Sequence, residues 1–309
     1  MSPDILLLAG PTASGKTALS LHAARSLDGE IVNADSMQVY RGLHVIAAGP
    51  SEAERAAAPH HLFETIDPSE RCSAGRWARL ALERIEAITG RGSTAILVGG
   101  TGLYFKALTE GLAPAPDIPP GVAAEVEALY HEGGLDALRA EAEIADPEAA
   151  AKALDPQRLM RIVAVKRASG ATLTELQAQT KPLIDPARWR GVVIQPPRAL
   201  LYQRIETRFD TMVAAGALEE ARAIASRDLD ASLPAMKAVG LPPLLAHLAG
   251  KIDLKTAVET AKRDSRRYAK RQYTWFSNQH PRWPRIESLD PDGQREELAR
   301  LLDIEFGAR

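Results

Sequence analysis

The first block with a clear pattern is Ile5–Ala9, five apolar residues in a row closed by Gly10. A run this short, with no polar position in it, predicts a strand buried on both faces, as in a parallel sheet. Helical spacing follows over 15–27, where Ala18, Leu19, His22 and Ala23 share a face. A second short strand is predicted at 30–33, ending in Ala34-Asp35-Ser36. An amphipathic helix at 73–89 carries Trp77, Leu80, Leu82 and Ile85, and a third strand at 94–98 ends in Gly99-Gly100-Thr101. Strands alternating with helices predict a parallel sheet covered by helices on both faces.

The texture changes at 112–120, where Pro114, Pro116, Pro119 and Pro120 make a stiff linker. From about 121 to 187 the pattern is helical, with no β-rich run. Strand character returns at 191–195 (Gly191-Val192-Val193-Ile194-Gln195), and helices follow at 198–215 and, strongly basic, at about 255–278. The expected organisation is an α/β core made of 1–112 and 188–309, interrupted by an all-helical insertion domain at 113–187.

Composition narrows the picture. Hydrophobic residues make up 45% and charged residues 25% of the chain, average values for a globular protein and unlike a disordered or fibrous one. The net charge of −2 leaves no global attraction for nucleic acid, so any RNA contact falls to local basic patches. One cysteine, Cys72, excludes an internal disulfide and a cysteine-built metal site, and fits a cytoplasmic location. Ile5–Ala9 is too short to cross a membrane and leads straight into a glycine loop, so a core strand is expected rather than a signal peptide.

That loop, Gly10-Pro11-Thr12-Ala13-Ser14-Gly15-Lys16-Thr17, carries the strongest chemical signal. Between a strand and a helix, its glycines let backbone N–H groups turn inward toward phosphate, and the helix adds its positive end. Lys16 brings a mobile cation, and the Thr17 hydroxyl can face Mg2+. An ordinary strand–helix turn is the bland reading, and the flanking elements argue against it. Phosphate binding does not define the chemistry. A kinase or ATPase usually holds its metal with an Asp at the end of a second apolar strand. Here 95–98 ends in Gly99-Gly100-Thr101, and the nearest strand-end acid is Asp35. The phosphates therefore point to a leaving group.

In open α/β sheets the site lies beyond the carboxyl ends of the strands. There Asp35 could accept a proton, Ser36 and Gln38 could read a base edge, and Thr101 could donate to a phosphate oxygen. From position alone, Asp35 is equally a loop or helix cap, and 99–102 a plain turn.

At these residues the sequence resembles the tRNA dimethylallyltransferase (tRNA isopentenyltransferase) family. The resemblance rests on the phosphate loop and on Ala34-Asp35-Ser36-Met37-Gln38-Val39-Tyr40, Pro59-His60-His61-Leu62 and Val98-Gly99-Gly100-Thr101-Gly102-Leu103-Tyr104. It continues through Asp155-Pro156-Gln157-Arg158, Arg204-Ile205-Glu206-Thr207-Arg208-Phe209 and Ala269-Lys270-Arg271-Gln272-Tyr273-Thr274-Trp275-Phe276. These motifs run in order over most of the chain. The resemblance implies a P-loop NTPase-like core and transfer of a dimethylallyl group from dimethylallyl diphosphate to N6 of the adenosine at tRNA position 37. Asp35 would be the general base and Thr101 the hydrogen-bond partner of the bridging oxygen. Gly10, Thr12, Ala13, Ser14, Gly15, Lys16, Thr17 and Arg208 would hold the diphosphate with Mg2+. Asp35, Ser36, Met37, Gln38, Thr101, Gln157, Arg158, Leu159, Met160, Arg161 and Lys237 would contact the tRNA anticodon stem-loop, clamped between insertion and core. A monomer with no membrane association is expected.

Four features qualify this reading. Arg204 and Arg208 share a helix face, and only Arg208 matches a functional family position. Adjacent His60 and His61 point apart and lack a third ligand, so a metal pair is not expected. Lys262, Arg263, Arg266, Arg267, Lys270 and Arg271, interleaved with aromatics, could grip RNA or belong to a snorkelling helix whose aromatics pack the core. The chain departs from the family pattern at Ala47-Ala48-Gly49-Pro50, at Ala123 and at Val239-Gly240-Leu241-Pro242, none of them a proposed catalytic group. The rival functions are prenylation of a free adenine nucleotide, a small-molecule kinase, and a non-catalytic RNA-binding module.

Overall fold

A computed structural model describes residues 3–114 and 116–302. Ala115 in the predicted linker, and the ends of the predicted core at 1–2 and 303–309, lie outside the described residues. The chain divides into two compact units, one running to Leu108 and resuming at Ile184, the other Thr109–Leu183.

The first unit contains β1 (Ile5–Ala9), α1 (Lys16–Ser26), β2 (Gly29–Asn33), α2 (Glu52–Ala57), β3 (His60–His61), α3 (Ala74–Thr89), β4 (Thr94–Gly99) and α4 (Gly102–Thr109). The second holds α5 (Pro120–Ala145), α6 (Pro147–Lys152), α7 (Pro156–Ser169) and α8 (Leu173–Ala178). The first unit then continues with β5 (Trp189–Ile194), α9 (Arg198–Ala214), α10 (Ala217–Ala225), a 3-10 turn at Ala235–Lys237, α11 (Leu241–Leu248), α12 (Leu254–Gln279), β6 (Arg285–Ile286) and α13 (Pro291–Leu302).

The strands form one sheet in the order β3-β2-β4-β1-β5-β6, every pairing parallel. The phosphate-loop strand β1 lies inside the sheet, with Leu6 in register with Ile96 of β4 and Arg190 of β5. Side chains alternate between faces along a strand. Leu6 and Leu8 join Leu19 and Ala23 of α1, Ile96, Ile194 and Leu298 of α13 in one apolar cluster. Ile5, Leu7 and Ala9 are fully buried as well, which explains why β1 has no polar position. The α/β fold is the P-loop NTPase-like one, with the phosphate loop at the carboxyl end of an interior strand.

Local chemistry sets the helix starts. Ser73 accepts the Arg76 amide at 3.1 Å and opens α3. In the second unit Asp146 and Asp155 accept the Ala149 and Arg158 amides, each followed by a proline in the first helical turn. That unit packs around Val126, Leu138, Ala142, Leu159, Ile162 and Val163.

Two sequence readings need correction, and two short strands were not predicted. The helical stretch expected to reach 187 ends at Ala178, because Pro182 and Pro186 cannot supply helical N–H groups. Strand β5 begins at Trp189, two residues before the expected start. The two-residue strands β3 and β6 had no apolar run to announce them; β3 is held by its register with Ile31 and Val32.

Candidate active site

The phosphate loop is braced from behind by two buried glutamines. Gln272 of α12 accepts the Thr12 amide at 2.9 Å and donates to the Gly100 carbonyl at 2.9 Å, so one side chain joins the loop to the end of β4. Gln294 of α13 donates to the Ser14 carbonyl at 2.8 Å and to Ser288 at 2.9 Å. Gly10 is required by close approach, since a Cβ there would lie 2.5 Å from the Ile194 carbonyl oxygen. Gly15 adopts φ 97°, and its Cβ would meet Gln294 at 2.7 Å. Neither glutamine was singled out from sequence. Gln272 lies inside a family motif, whereas nothing local marks Gln294.

The loop's donors are partly committed. The Thr12 amide is taken by Gln272, and the Ser14 amide faces the Pro11 carbonyl at 3.4 Å. The brace from Gln272 thus occupies the Thr12 amide, while the Ser14 amide makes only a long contact within the loop. The Lys16 ammonium folds onto the Pro11 carbonyl at 2.6 Å. Burial lowers the Lys16 pKa from its usual value to about 7, with Asp35 opposing the shift and Arg208 adding to it. Arg208 of α9 donates to the Thr12 hydroxyl; burial also lowers its pKa, and Asp35 opposes. Thr17 stands exposed at the start of α1.

Asp35 follows β2 at the same end of the sheet. Its Oδ1 accepts the Met37 amide at 2.9 Å, a local turn, and no helix starts there, so the helix-cap reading is set aside. Thr101 follows β4. Its Oγ1 accepts the Ser36 amide at 2.9 Å and lies 3.2 Å from the Ser36 hydroxyl, which ties the two strand-end loops together. Gln38 donates to the carbonyls of Ala47 and Ala48 at 3.0 and 2.8 Å. Its amide nitrogen thus holds the loop at Ala47 and Ala48.

Thr12–Thr17 of the loop, Asp35, Gln38, Arg204 and Arg208 line one cavity of about 780 Å3. Arg204, expected on a solvated face, lines it too while donating to the Leu289 carbonyl at 2.8 Å. A narrower apolar chamber of about 50 Å3 adjoins it. Thr12, Asp35, Ala47 and Arg208 line both, and Met37, Ile46, Ile205, Phe209, Met212 and Val239 give the second its apolar wall. Tyr268 of α12 also borders this chamber. Burial pushes its hydroxyl pKa up, so it stays protonated. Thr101 is within its electrostatic reach.

Other expected residues lie elsewhere. His61 bonds Glu30 at 2.6 Å and His60 the Ala58 carbonyl at 2.8 Å, both structural contacts. Among the described residues, no group of three or more His, Cys, Asp and Glu side chains could hold a metal. Part of the basic run on α12 is paired with acids. Lys262 pairs with Asp210 at 2.7 Å and Arg266 with Glu206 at 2.5 Å, while Arg263 and Arg267 both flank Asp264. Arg271 stacks over Tyr268, and Phe276 is buried against Phe105. Lys237 is exposed at the end of the 3-10 turn.

In the helical unit, Gln157, Arg158 and Arg161 are exposed on one face of α7, and Met160 is half-buried. Leu159 is fully buried in that unit's core. A side-chain contact between Leu159 and RNA is therefore corrected: its helical phase matches Ile162 and Val163, not the arginines.

With this geometry in hand, comparison with known proteins is direct. The family model described as IPP transferase matches residues 38–279. The chain is 56% identical over 300 residues to the tRNA dimethylallyltransferase of Maricaulis maris, covering 96% of this chain and 97% of that protein. It is 50% identical over 296 residues to the tRNA dimethylallyltransferase of Phenylobacterium zucineum, covering 95% and 96%. The crystal structure of the full-length tRNA isopentenylpyrophosphate transferase from Bacillus halodurans is similar with TM-score 0.69 and 33% identity, covering 97% of this chain and 96% of that one. A eukaryotic dimethylallyltransferase acting on tRNA is similar with TM-score 0.77 and 26% identity over 88% of this chain and 69% of that one. The matched model spans most of the chain and the relatives match nearly its full length, so the chain belongs to the IPP transferase family, that of the tRNA dimethylallyltransferases.

Proposed function

We propose that this chain transfers the dimethylallyl group of dimethylallyl diphosphate to N6 of the adenosine at tRNA position 37, beside the anticodon, and releases diphosphate. The observation that supports the reading is the shared cavity, where Lys16, Arg208 and the phosphate loop line the same space as the Asp35 carboxylate. A stacked adenine cannot present its amine, so the base is flipped out to reach the donor. The N6–carbon bond forms as the carbon–oxygen bond to diphosphate breaks, and the amine proton passes to Asp35. Negative charge grows on the departing diphosphate, and Lys16 and Arg208 stabilise it. Lys16 exchanges the Pro11 carbonyl for a phosphate oxygen, and Thr101 turns its proton from Ser36 to the bridging oxygen. The apolar chamber receives the five-carbon group.

Mg2+ fits the donor set here: the Thr17 hydroxyl and diphosphate oxygens would hold it, and it would neutralise leaving-group charge. Gln157, Arg158, Met160, Arg161 and Lys237 are proposed tRNA contacts, together with Ser36 and Met37 near the base. The reading puts the chain in the cytoplasm with its tRNA, as a monomer; among the described residues no helix is long and apolar enough to cross a membrane.

The test is mass spectrometry of tRNA nucleosides after incubation with dimethylallyl diphosphate and enzyme. N6-isopentenyladenosine at position 37 is the expected product. Modification of free adenylate with tRNA left untouched would favour the nucleotide-prenylating rival, and donor-independent ATP consumption would favour a kinase.

A further inference from the structure

One part of the apolar chamber's wall is a stretch of loop, not a helix or strand. Ile46 and Ala47 face the chamber, and Ala47 through Pro50 face the phosphate cavity. A loop in this place needs an outside support to keep its backbone in one position. Gln38 supplies one hold, through the carbonyls of Ala47 and Ala48.

The second hold comes from far along the chain. Glu220, in the first turn of α10, accepts the Val45 amide at 2.9 Å with Oε1 and the Ile46 amide at 2.7 Å with Oε2. One carboxylate thus takes two consecutive N–H groups, the geometry in which charge-assisted bonds are strongest. An acid at a helix N-terminus ordinarily serves its own helix dipole. Glu219 beside it is exposed, whereas the Glu220 carboxylate is committed to the loop. The bonds fix the backbone at the residue whose side chain, Ile46, closes the chamber against Ile205, Phe209, Met212 and Val239.

We propose that Glu220 is a positioning residue: by gripping the Val45 and Ile46 amides it holds the chamber wall in place and so limits the length of the donor's hydrocarbon. The chain-length part rests on the reading of the chamber as the site of the five-carbon group. Without the carboxylate, the wall yields and a ten-carbon chain is no longer excluded. Pocket discrimination of this kind is worth about 10–200-fold.

The experiment compares the parent with Glu220→Ala, Glu220→Gln and the control Glu219→Gln, all as full chains. Glu220→Gln preserves shape but offers one acceptor oxygen to two N–H groups, and it stands in if Glu220→Ala does not fold. Hydrogen exchange at the Val45 and Ile46 amides reads the grip without any substrate. Exchange about tenfold faster or more is expected in the Glu220 variants, and none of this in the control. The ratio of kcat/KM for dimethylallyl diphosphate to that for geranyl diphosphate reads the consequence. It should fall about tenfold or more in the Glu220 variants, with the KM for tRNA unchanged within a few-fold. Unchanged exchange overturns the positioning role. Faster exchange with an unchanged ratio overturns the chain-length role. A parent inactive with dimethylallyl diphosphate would instead sink the proposed function, and the exchange result would still decide the grip.

Discussion

Gln272 reaches from α12 to accept the backbone amide of Thr12 at 2.9 Å, across 260 residues of sequence. The same side chain donates to Gly100, so the phosphate loop and the end of β4 move as one piece. Replacing it leaves the part-buried Thr12 amide and the buried Gly100 carbonyl without this partner. Gln272→Ala is expected to cost about 1–3 kcal/mol of stability and to raise the donor KM through a loosened loop. Urea unfolding and donor titration measure the two effects; a variant with parental values for both removes the bracing role.

Asp35 offers a sharper substitution than alanine. Asp35→Asn keeps an oxygen to accept the Met37 amide and so preserves the turn, but it cannot take a proton. Turnover should drop by about 10²–10⁴, as is typical for loss of a general base. Donor and tRNA affinities should stay within a few-fold. Single-turnover kinetics beside binding titrations check this, and near-parental turnover would show that another group receives the proton.

Lys16 has a pKa lowered to about 7 by burial. Diphosphate brings negative charge to it and raises that pKa again. Above about pH 7, binding therefore takes up a proton at Lys16, and affinity weakens as pH rises from there. Calorimetry at pH 8 in buffers of different ionisation enthalpy should detect the uptake, and Lys16→Met should reduce it. Equal uptake in parent and variant would assign the proton to the ligand alone.

The Ile184 amide donates to the Leu108 carbonyl at 3.2 Å, so the two chain ends where the helical unit leaves the first unit are adjacent. Replacing 110–182 with a short flexible linker closes a gap already closed in the parent, and closure entropy changes slowly with length. The shortened chain is expected to fold and to bind diphosphate, because the loop and Arg208 are retained. It should lose most of its tRNA affinity along with Gln157, Arg158 and Arg161. A tRNA titration at fixed salt tests this; parental affinity in a folded deletion variant would leave RNA binding to the first unit.

Some of this protein was readable one segment at a time. The apolar block at Ile5–Ala9, the glycine loop after it and the helical phase over α1 are local patterns, and each depends on residues within a few positions of one another. The prolines around 112–120 and the return of strand character near 191 likewise marked where the texture changes. Asp35 and Thr101 could be named as strand-end residues for the same reason. What tertiary structure alone decided is how groups far apart in sequence spend their hydrogen bonds. Gln272 and Gln294 brace the phosphate loop from helices more than 250 residues away, as their separations of 260 and 280 residues record. Gln38 and Glu220 hold a wall, Leu159 turns into a core, and Glu206, Asp210 and Asp264 pair with part of a basic run that the sequence left open between an RNA grip and a bland helix face. Periodicity reports which face of an element is apolar; it carries no information on which distant donor meets which acceptor, because that pairing exists only once the sheet has brought its strand ends and the late helices to one place.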